Sequence, residues 1–294
     1  MITLIMPAYN EEKNIAASIK SIRDQSFKDF QLIIVNDGST DNTVEVVKES
    51  IEDDNRILFI NPDHKVGKNG AINLASKYMR GGWLYFMGAD DILPINALET
   101  WEKAIVNYNP DNCVALRGRL RVFSESHKYN GLVLPKNSKR ENFSGPLTLQ
   151  SRGLLDYSLP IPEGFPNEDT WWGLCIQTFA QEKKCIDDII VNYRIHEGNS
   201  ISRRSSFKVF TEKYHIRYTI REQFLDRFGP QMSQKQIEMM NRELKLEDLR
   251  WNGKTLSILF MTGIPFVTKL RFAMLSNKLL YKIKIKLDRF FLGH

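Results

Sequence analysis

Residues 31–41 read Gln-Leu-Ile-Ile-Val-Asn-Asp-Gly-Ser-Thr-Asp. The first five, Gln31–Val35, form a near-continuous apolar run, the signature of a strand buried on both faces. The rest, Asn36-Asp37-Gly38-Ser39-Thr40-Asp41, is turn chemistry: Asn and Asp satisfy local backbone groups and Gly accepts positive φ. The same couplet of apolar run and polar cluster occurs twice more. Ile2–Met6 is followed by Pro7-Ala8-Tyr9-Asn10-Glu11, and Trp83–Met87 by Gly88-Ala89-Asp90-Asp91. Ile57–Ile60 is a further apolar run. Helix-period segments lie between these strands, near Glu12–Asp24, Thr43–Ser50 and Gly70–Met79. The alternation predicts an α/β fold, a mainly parallel sheet flanked by helices. In such sheets ligands gather beyond the carboxyl ends of the strands, where the polar clusters fall.

Outward from this core, a helix is expected after Pro94, through Trp101 to Tyr108, then a strand over Cys113–Phe123. Ser124–Ser138 is polar and basic without a period and reads as a loop. A helix opens at Glu168-Asp169 and leads into a strand over Lys184–Val191, which ends near Tyr193-Arg194-Ile195-His196. After Arg203 the texture turns to long, charged, helix-period sequence. The expected organisation is an α/β domain over residues 1–205 and a helical C-terminal region over 206–294.

Composition narrows the class. The 294 residues are 42% hydrophobic and 26% charged, which excludes disordered and collagen-like chains. Three cysteines, Cys113, Cys175 and Cys185, lack C-x-x-C spacing and read as core residues in a reducing compartment. The N-terminal segment has no basic n-region, and no stretch has the ~18 consecutive apolar residues of a membrane span, so a cytoplasmic location is expected. The net charge of +6 fits polyphosphate ligands, anionic lipid or nucleic acid.

Taken singly, each polar cluster has a structural reading. Asn36–Ser39 is a turn, Asp91 a cap for the helix after Pro94, and Glu168-Asp169 first-turn acids favoured by the helix dipole. A lone His196 is an ordinary structural residue. Their joint order over residues 1–205, however, resembles the family-2 glycosyltransferases of the GT-A (Rossmann-like) fold. That resemblance implies a P-x-Y-N-E segment and an N-D-G-S-T-D segment cradling the nucleotide of a nucleotide-sugar donor. It also implies a D-x-D segment holding the diphosphate through Mn²⁺ or Mg²⁺, a Glu-Asp pair supplying the catalytic base, and a late histidine adding a metal ligand. Carried onto this chain, the donor-binding residues are Pro7, Ala8, Tyr9, Glu11, Asp37, Ala89 and Asp90. The metal ligands are Asp90 and His196, and the base is Asp169. The resemblance further implies displacement with inversion and a default UDP-sugar donor.

The chemistry agrees with that assignment. A carboxylate at Asp37 can accept an imide N–H, and hard oxygen from Asp90 with nitrogen from His196 suits Mn²⁺ or Mg²⁺. An attacking hydroxyl must lose a proton to a base within hydrogen-bond reach. The departure is Gly88, which stands where the first aspartate of D-x-D falls. Glu168 and Trp171 are candidate acceptor contacts; for Trp171 and Trp172, core packing is the competing and favoured reading. The expected acceptor is a glycan or lipid-linked saccharide in cell-surface polysaccharide synthesis. The rival functions are a sugar nucleotidyltransferase, which wants a Gly-rich, Arg-containing first loop that this chain lacks, and a catalytically silent nucleotide-sugar-binding or scaffold protein.

The C-terminal end adds a second feature. Over Asn277–Phe291, Lys278, Lys282, Lys286 and Arg289 fall on one helix face, with Leu279, Leu280, Ile283, Leu287, Phe290 and Phe291 opposite. The pattern fits a helix lying on anionic lipid at the inner face of the membrane, or a surface helix that packs its apolar face on the catalytic domain. No nucleic-acid module precedes it, so nucleic acid is not an expected partner.

Overall fold

The strands β1 (Ile2–Ala8) and β2 (Phe30–Asn36) run parallel in register, with Ile2 opposite Phe30 and Ala8 opposite Asn36. This is a computed structural model; it describes residues 1–124, 130–137, 143, 145–195 and 206–292, the last six by backbone alone. The eight strands also include β3 (Ile57–Ile60), β4 (Trp83–Phe86), β5 (Val114–Ser124), β6 (Val133–Leu134), β7 (Thr148–Ser151) and β8 (Glu182–Ile195). Their order is β3-β2-β1-β4-β7-β5-β6, with β8 paired to β5. The first four strands are mutually parallel, as their apolar runs predict, and β7 enters antiparallel between β4 and β5. The architecture is therefore the expected mixed α/β sheet flanked by helices, with a helical C-terminal region.

Side-chain alternation assigns the two faces of the sheet. Ile2, Leu4, Met6 and Ala8 share a core with Leu32 and Ile34, with Ile15, Ile19 and Ile22 of α1 (Ile15–Arg23), and with Val47 of α2 (Thr43–Ile51). Leu98 and Trp101 of α4 (Ala97–Ile105) close the same core. On the other face α3 (Gly67–Ser76) packs on β1 and β2 through Ala71, Ile72 and Ala75, all fully buried. A separate cluster of Ala115, Phe143, Leu154 and Ile176 joins β5 to α5 (Arg152–Ser158) and α6 (Glu168–Phe179).

Two parts of the sheet depart from expectation. The stretch expected as a loop, Ser124–Ser138, contains β6, because Gly131 at φ +81° turns the chain back onto β5. Its N–H donates to the Val122 carbonyl at 2.9 Å, and Val122 N–H donates to Leu132 at 2.8 Å. The second is β7, whose sequence Thr-Leu-Gln-Ser carries no apolar run, yet whose four residues are all buried. Between β5 and β8 the register shifts at Arg117–Leu120. There Gly118 lets Ile190 approach so closely that a Cβ would lie 2.5 Å from its Cγ1. All three cysteines are free thiols.

The chain divides into two compact units, Met1–Asn199 and Ser200–His294. The second consists of α7 (Phe207–Phe228), α8 (Gln234–Trp251), α9 (Thr255–Phe260), α10 (Phe266–Met274) and α11 (Lys278–Leu292). A capping box of Ser233 and Gln236 starts α8. Buried Arg250 donates to both carboxylate oxygens of Glu247, to Thr211 Oγ1 and to the Leu275 carbonyl. Tyr281 of α11 stacks on Phe210 of α7 at 4.8 Å, a contact within this unit. Among the described residues no helix is long and apolar enough to cross a membrane.

Candidate active site

The loops after β1 and β2 are stitched together by reciprocal hydrogen bonds. Asn10, at φ 55°, accepts from Thr40 N–H at 2.8 Å through its side chain, and its own N–H donates to Ser39 Oγ at 3.0 Å. Glu11 N–H donates to Thr43 Oγ1 at 2.8 Å, and Glu12 N–H to Asp41 Oδ2 at 3.2 Å. Gly38 sits at φ +71°, a left-handed turn position that favours Gly, and Asn36 Oδ1 accepts from Ser39 N–H at 3.1 Å. The two predicted donor loops thus form one rigid rim.

Asp37 anchors that rim to α3. Its Oδ1 accepts from Val66 N–H at 3.1 Å and Gly67 N–H at 2.5 Å, at the N-terminus of α3, while its own N–H donates to the Ala8 carbonyl at 2.8 Å. These are the N–H groups that a helix start leaves unpaired, and a carboxylate there also meets the positive end of the helix dipole. Asp37 is 5% exposed, and no hydrogen bond to its Oδ2 occurs among the described residues. Tyr9 is 45% exposed, with Lys65 Nζ 3.4 Å from its ring centre.

The third loop, 88–91, is tied to β8. Ile92 and Asn192 exchange backbone hydrogen bonds at 3.0 and 2.8 Å. Arg194 Nε donates to the Asp90 carbonyl at 2.9 Å, and Arg194 N–H donates to Asp91 Oδ1 at 3.0 Å. Asp91 is therefore no helix cap, since Asn96 occupies that position for α4. Burial pushes the Asp91 carboxyl well above the usual carboxylate range, and neighbouring Asp90 adds to the effect. Gly88 supplies the room for this arrangement: a Cβ there would lie 2.7 Å from Asp90 Oδ1 and 2.9 Å from Asp91 Oδ2. His196 lies outside the described residues; β8 is followed as far as Ile195.

The Glu168-Asp169 pair occupies the first turn of α6. Asp169 Oδ1 accepts from Gly145 N–H at 2.5 Å. Glu168, 5% exposed, pairs with Lys68 Nζ at 2.5 Å. Lys68 Nζ also lies 5.2 Å from the centre of the Phe86 ring, at the end of β4. The segment preceding α6 is clamped by α3: Asn69 Nδ2 donates to the Pro162 and Phe165 carbonyls, and Asn73 exchanges two hydrogen bonds with Ile161. Phe86 is thus the meeting point of three elements, touched by Lys68 of α3, by Trp172 of α6 at 5.1 Å, and by the Gly145 turn.

The structure corrects the acceptor-wall expectation for Trp171. Its side chain is fully buried and its indole N–H donates to the Ser158 carbonyl at 3.0 Å, so core packing has consumed both its apolar surface and its donor. Lys68, Asn69 and Asn73 were missed by the sequence reading. The polar run Lys-Val-Gly-Lys-Asn-Gly over 65–70, directly at a helix start, is the signal that marks Lys68 and Asn69; Asn73 lies beyond it.

Asp90 is half-exposed and offers the hard carboxylate oxygen that Mn²⁺ or Mg²⁺ takes. Among the described residues no cluster of three or more His, Cys, Asp or Glu side chains stands ready to hold an ion alone. One or two carboxylates completed by phosphate oxygens are the usual setting for Mg²⁺.

Comparison with known proteins identifies the family. The family model described as glycosyl transferase family 2 matches residues 3–152. Glycosyltransferase GlyA of Streptococcus pneumoniae is 38% identical over 234 residues, covering 72% of this chain but only 32% of that protein. The GalNAc(5)-diNAcBac-PP-undecaprenol beta-1,3-glucosyltransferase of Campylobacter jejuni is 30% identical over 218 residues, 70% of this chain and 68% of that one. The structure of S. aureus TarS 1–349 in complex with UDP-GlcNAc superposes with a TM-score of 0.64 at 19% identity, covering 94% of this chain and 81% of that one, and shares the fold. The family model spans all three strand-end loops, and with that match the chain belongs to glycosyl transferase family 2 and is a glycosyltransferase.

Proposed function

We propose that the enzyme transfers a sugar from a nucleoside-diphosphate donor to a saccharide acceptor by a single displacement with inversion, Asp169 acting as base. The observation that carries this reading is the convergence around Phe86, at the end of the strand that leads into the 88–91 loop: Lys68 of α3, Trp172 of α6 and the Gly145 turn meet there, Lys68 pairs with Glu168, Gly145 N–H holds Asp169, and Asp37 binds the same start of α3.

On the donor side, the Pro7–Tyr9 backbone and Asp37 take the base. Asp37 has one carboxylate oxygen engaged by α3, and the other accepts the imide N–H, so UDP is the default nucleotide. Glu11 takes a ribose hydroxyl, and the Ala89–Asp90 segment lies along the diphosphate. A divalent ion, Mn²⁺ or Mg²⁺, when held by Asp90 and His196, supplies Lewis-acid stabilisation of the diphosphate leaving group. With Gly88 in place of a carboxylate, the ribose side of the site has one acidic contact fewer.

In the transfer, the acceptor hydroxyl oxygen forms its bond to the anomeric carbon as the bond from that carbon to the β-phosphate oxygen breaks. The electron pair leaves with the nucleoside diphosphate and the hydroxyl proton passes to Asp169. Gly145 N–H holds the Asp169 carboxylate through Oδ1. Glu168, fastened to Lys68, fixes the turn that aims it. The name of the Campylobacter relative specifies an undecaprenyl-diphosphate-linked saccharide acceptor, which supports a lipid-linked acceptor here, in assembly of a surface glycan. The test is a donor-hydrolysis and transfer screen across UDP-, GDP-, CMP- and dTDP-sugars with Mn²⁺. Turnover with a UDP-sugar and inverted product stereochemistry is the expected result. Nucleotide binding with no turnover on any donor would overturn the reading.

A further inference from the structure

The C-terminal unit presents an apolar surface of its own. The short helices α9 and α10 each bury one face: Ile258, Phe272 and Ala273, with Ile264 between the helices, close a small core against Leu246 of α8. Their other faces are apolar as well. Leu256 is 71% exposed, Phe260 82%, Phe266 69%, Val267 77% and Leu270 47%. Leu256 and Phe260 stand four residues apart on α9, as do Phe266 and Leu270 on α10, so each pair shares a helix face. Single exposed apolar side chains are ordinary, but a run of this density marks a contact surface. A helix apolar on both sides belongs between two apolar phases.

The surrounding charge selects the second phase. Residues 252–287 contain Lys254, Lys269, Arg271, Lys278, Lys282, Lys284 and Lys286, and no Asp or Glu. On α11 the exposed side combines Lys278, Lys282 and Lys286 with Leu279 and Ile283, while Tyr281 faces inward. Large apolar side chains beside uniformly basic ones match a bilayer with anionic headgroups. We propose that the α9–α10 hairpin docks this unit on an anionic lipid surface. Leu256, Phe260, Phe266, Val267 and Leu270 enter the acyl boundary, and the neighbouring lysines meet the headgroups. The contact surface is thereby the hairpin with α11 beside it, rather than α11 alone. It rests on the C-terminal unit only and holds whatever the acceptor proves to be.

The test uses the full chain and vesicles of phosphatidylcholine alone or mixed in equal parts with phosphatidylglycerol. The wild type sediments with the mixed vesicles, less so at high salt and weakly with phosphatidylcholine alone. The Phe260→Ser/Phe266→Ser double variant changes only exposed positions, and its unfolding midpoint and donor hydrolysis stay at wild-type values. Its vesicle partitioning falls by about tenfold or more, since binding scales with apolar area buried. Trp251, 42% exposed just before α9, gives a second readout. Brominated lipid quenches its fluorescence, and Trp251→Phe removes that component. Three results would each overturn the proposal: no sedimentation with anionic vesicles, unchanged partitioning of the double variant, or lipid-free self-association that the double variant abolishes without any vesicle binding.

Discussion

Lys68 and Glu168, a hundred positions apart in the chain, form an ion pair at 2.5 Å that ties the start of α3 to the start of α6. The Glu168 side chain is 7% exposed and that of Lys68 54%. Lys68→Met leaves a nearly buried carboxylate without this partner, and a loss of about 1–2 kcal/mol is expected. That is below the ~3–5 kcal/mol of a fully buried pair, because water screens the lysine side. In a double-mutant cycle with Glu168→Gln, denaturant unfolding should return a coupling of about 1 kcal/mol. Additive effects would mean that the pair fastens nothing.

Asp169→Asn preserves shape and still accepts the Gly145 N–H, but it cannot take a proton. Turnover should fall by roughly 10²-fold or more with donor affinity nearly unchanged. Steady-state kinetics paired with calorimetric titration of the nucleotide separates the two quantities. A variant that chiefly loses donor binding would remove Asp169 from the role of base.

Asp90→Ala removes the half-exposed carboxylate of the 88–91 loop. Nucleotide binding should then lose its dependence on Mn²⁺, and transfer should cease. Titrating UDP into wild type and variant, with Mn²⁺ and then with EDTA, checks both points. Full wild-type activity in EDTA would take the ion out of the mechanism.

Gly88→Ala asks what the missing carboxylate left behind. The added carbon would sit 2.7 Å from Asp90 Oδ1 and 2.9 Å from Asp91 Oδ2, and Asp91 is held in place by Arg194 N–H. The strain should cost about 1–2 kcal/mol in stability and weaken Mn²⁺-dependent nucleotide binding several-fold. Unaltered binding would show that the two carboxylates do not act together.

Gly118→Ala should be among the more damaging single-methyl changes in the sheet, at about 1–3 kcal/mol. The new methyl would meet Ile190 Cγ1 at 2.5 Å and Cγ2 at 2.9 Å inside the core. In an Ile190→Ala background the same substitution should cost much less, measured by chemical denaturation.

The fold was legible where burial and sequence period coincide. Ile2–Met6, Gln31–Val35 and Trp83–Phe86 are strands buried on both faces, and their apolar runs say so directly. Thr148–Ser151 was not legible, because its place between β4 and β5 is held by backbone pairing and its side chains are mostly polar. The positions of the candidate residues were legible: Asp37 and Asp90 stand just beyond strand ends, and the Glu168-Asp169 pair opens a helix. Lys68 was less legible: its partner lies far along the chain, and its one local mark is the polar run over 65–70 at a helix start. Trp171 shows the converse. An aromatic next to a candidate base reads as core or, less readily, as a wall, and full burial with the bond to the Ser158 carbonyl decides for the core.

The insertion of β7 also bears on how the chain comes into being. Trp83 of β4 pairs with Ser151 of β7, and β5 reaches β4 only through that strand. As the polypeptide leaves the ribosome, β1 to β4 can assemble first, but the outer edge of β4 stays open until residue 151 has been made. An open edge carrying the run Trp-Leu-Tyr-Phe is a template for wrong pairing. Contacts this distant along the chain also close slowly. The nascent chain therefore passes through a stage in which β1 to β4 stand without β7 to close their edge, and in which shielding by a chaperone would matter most.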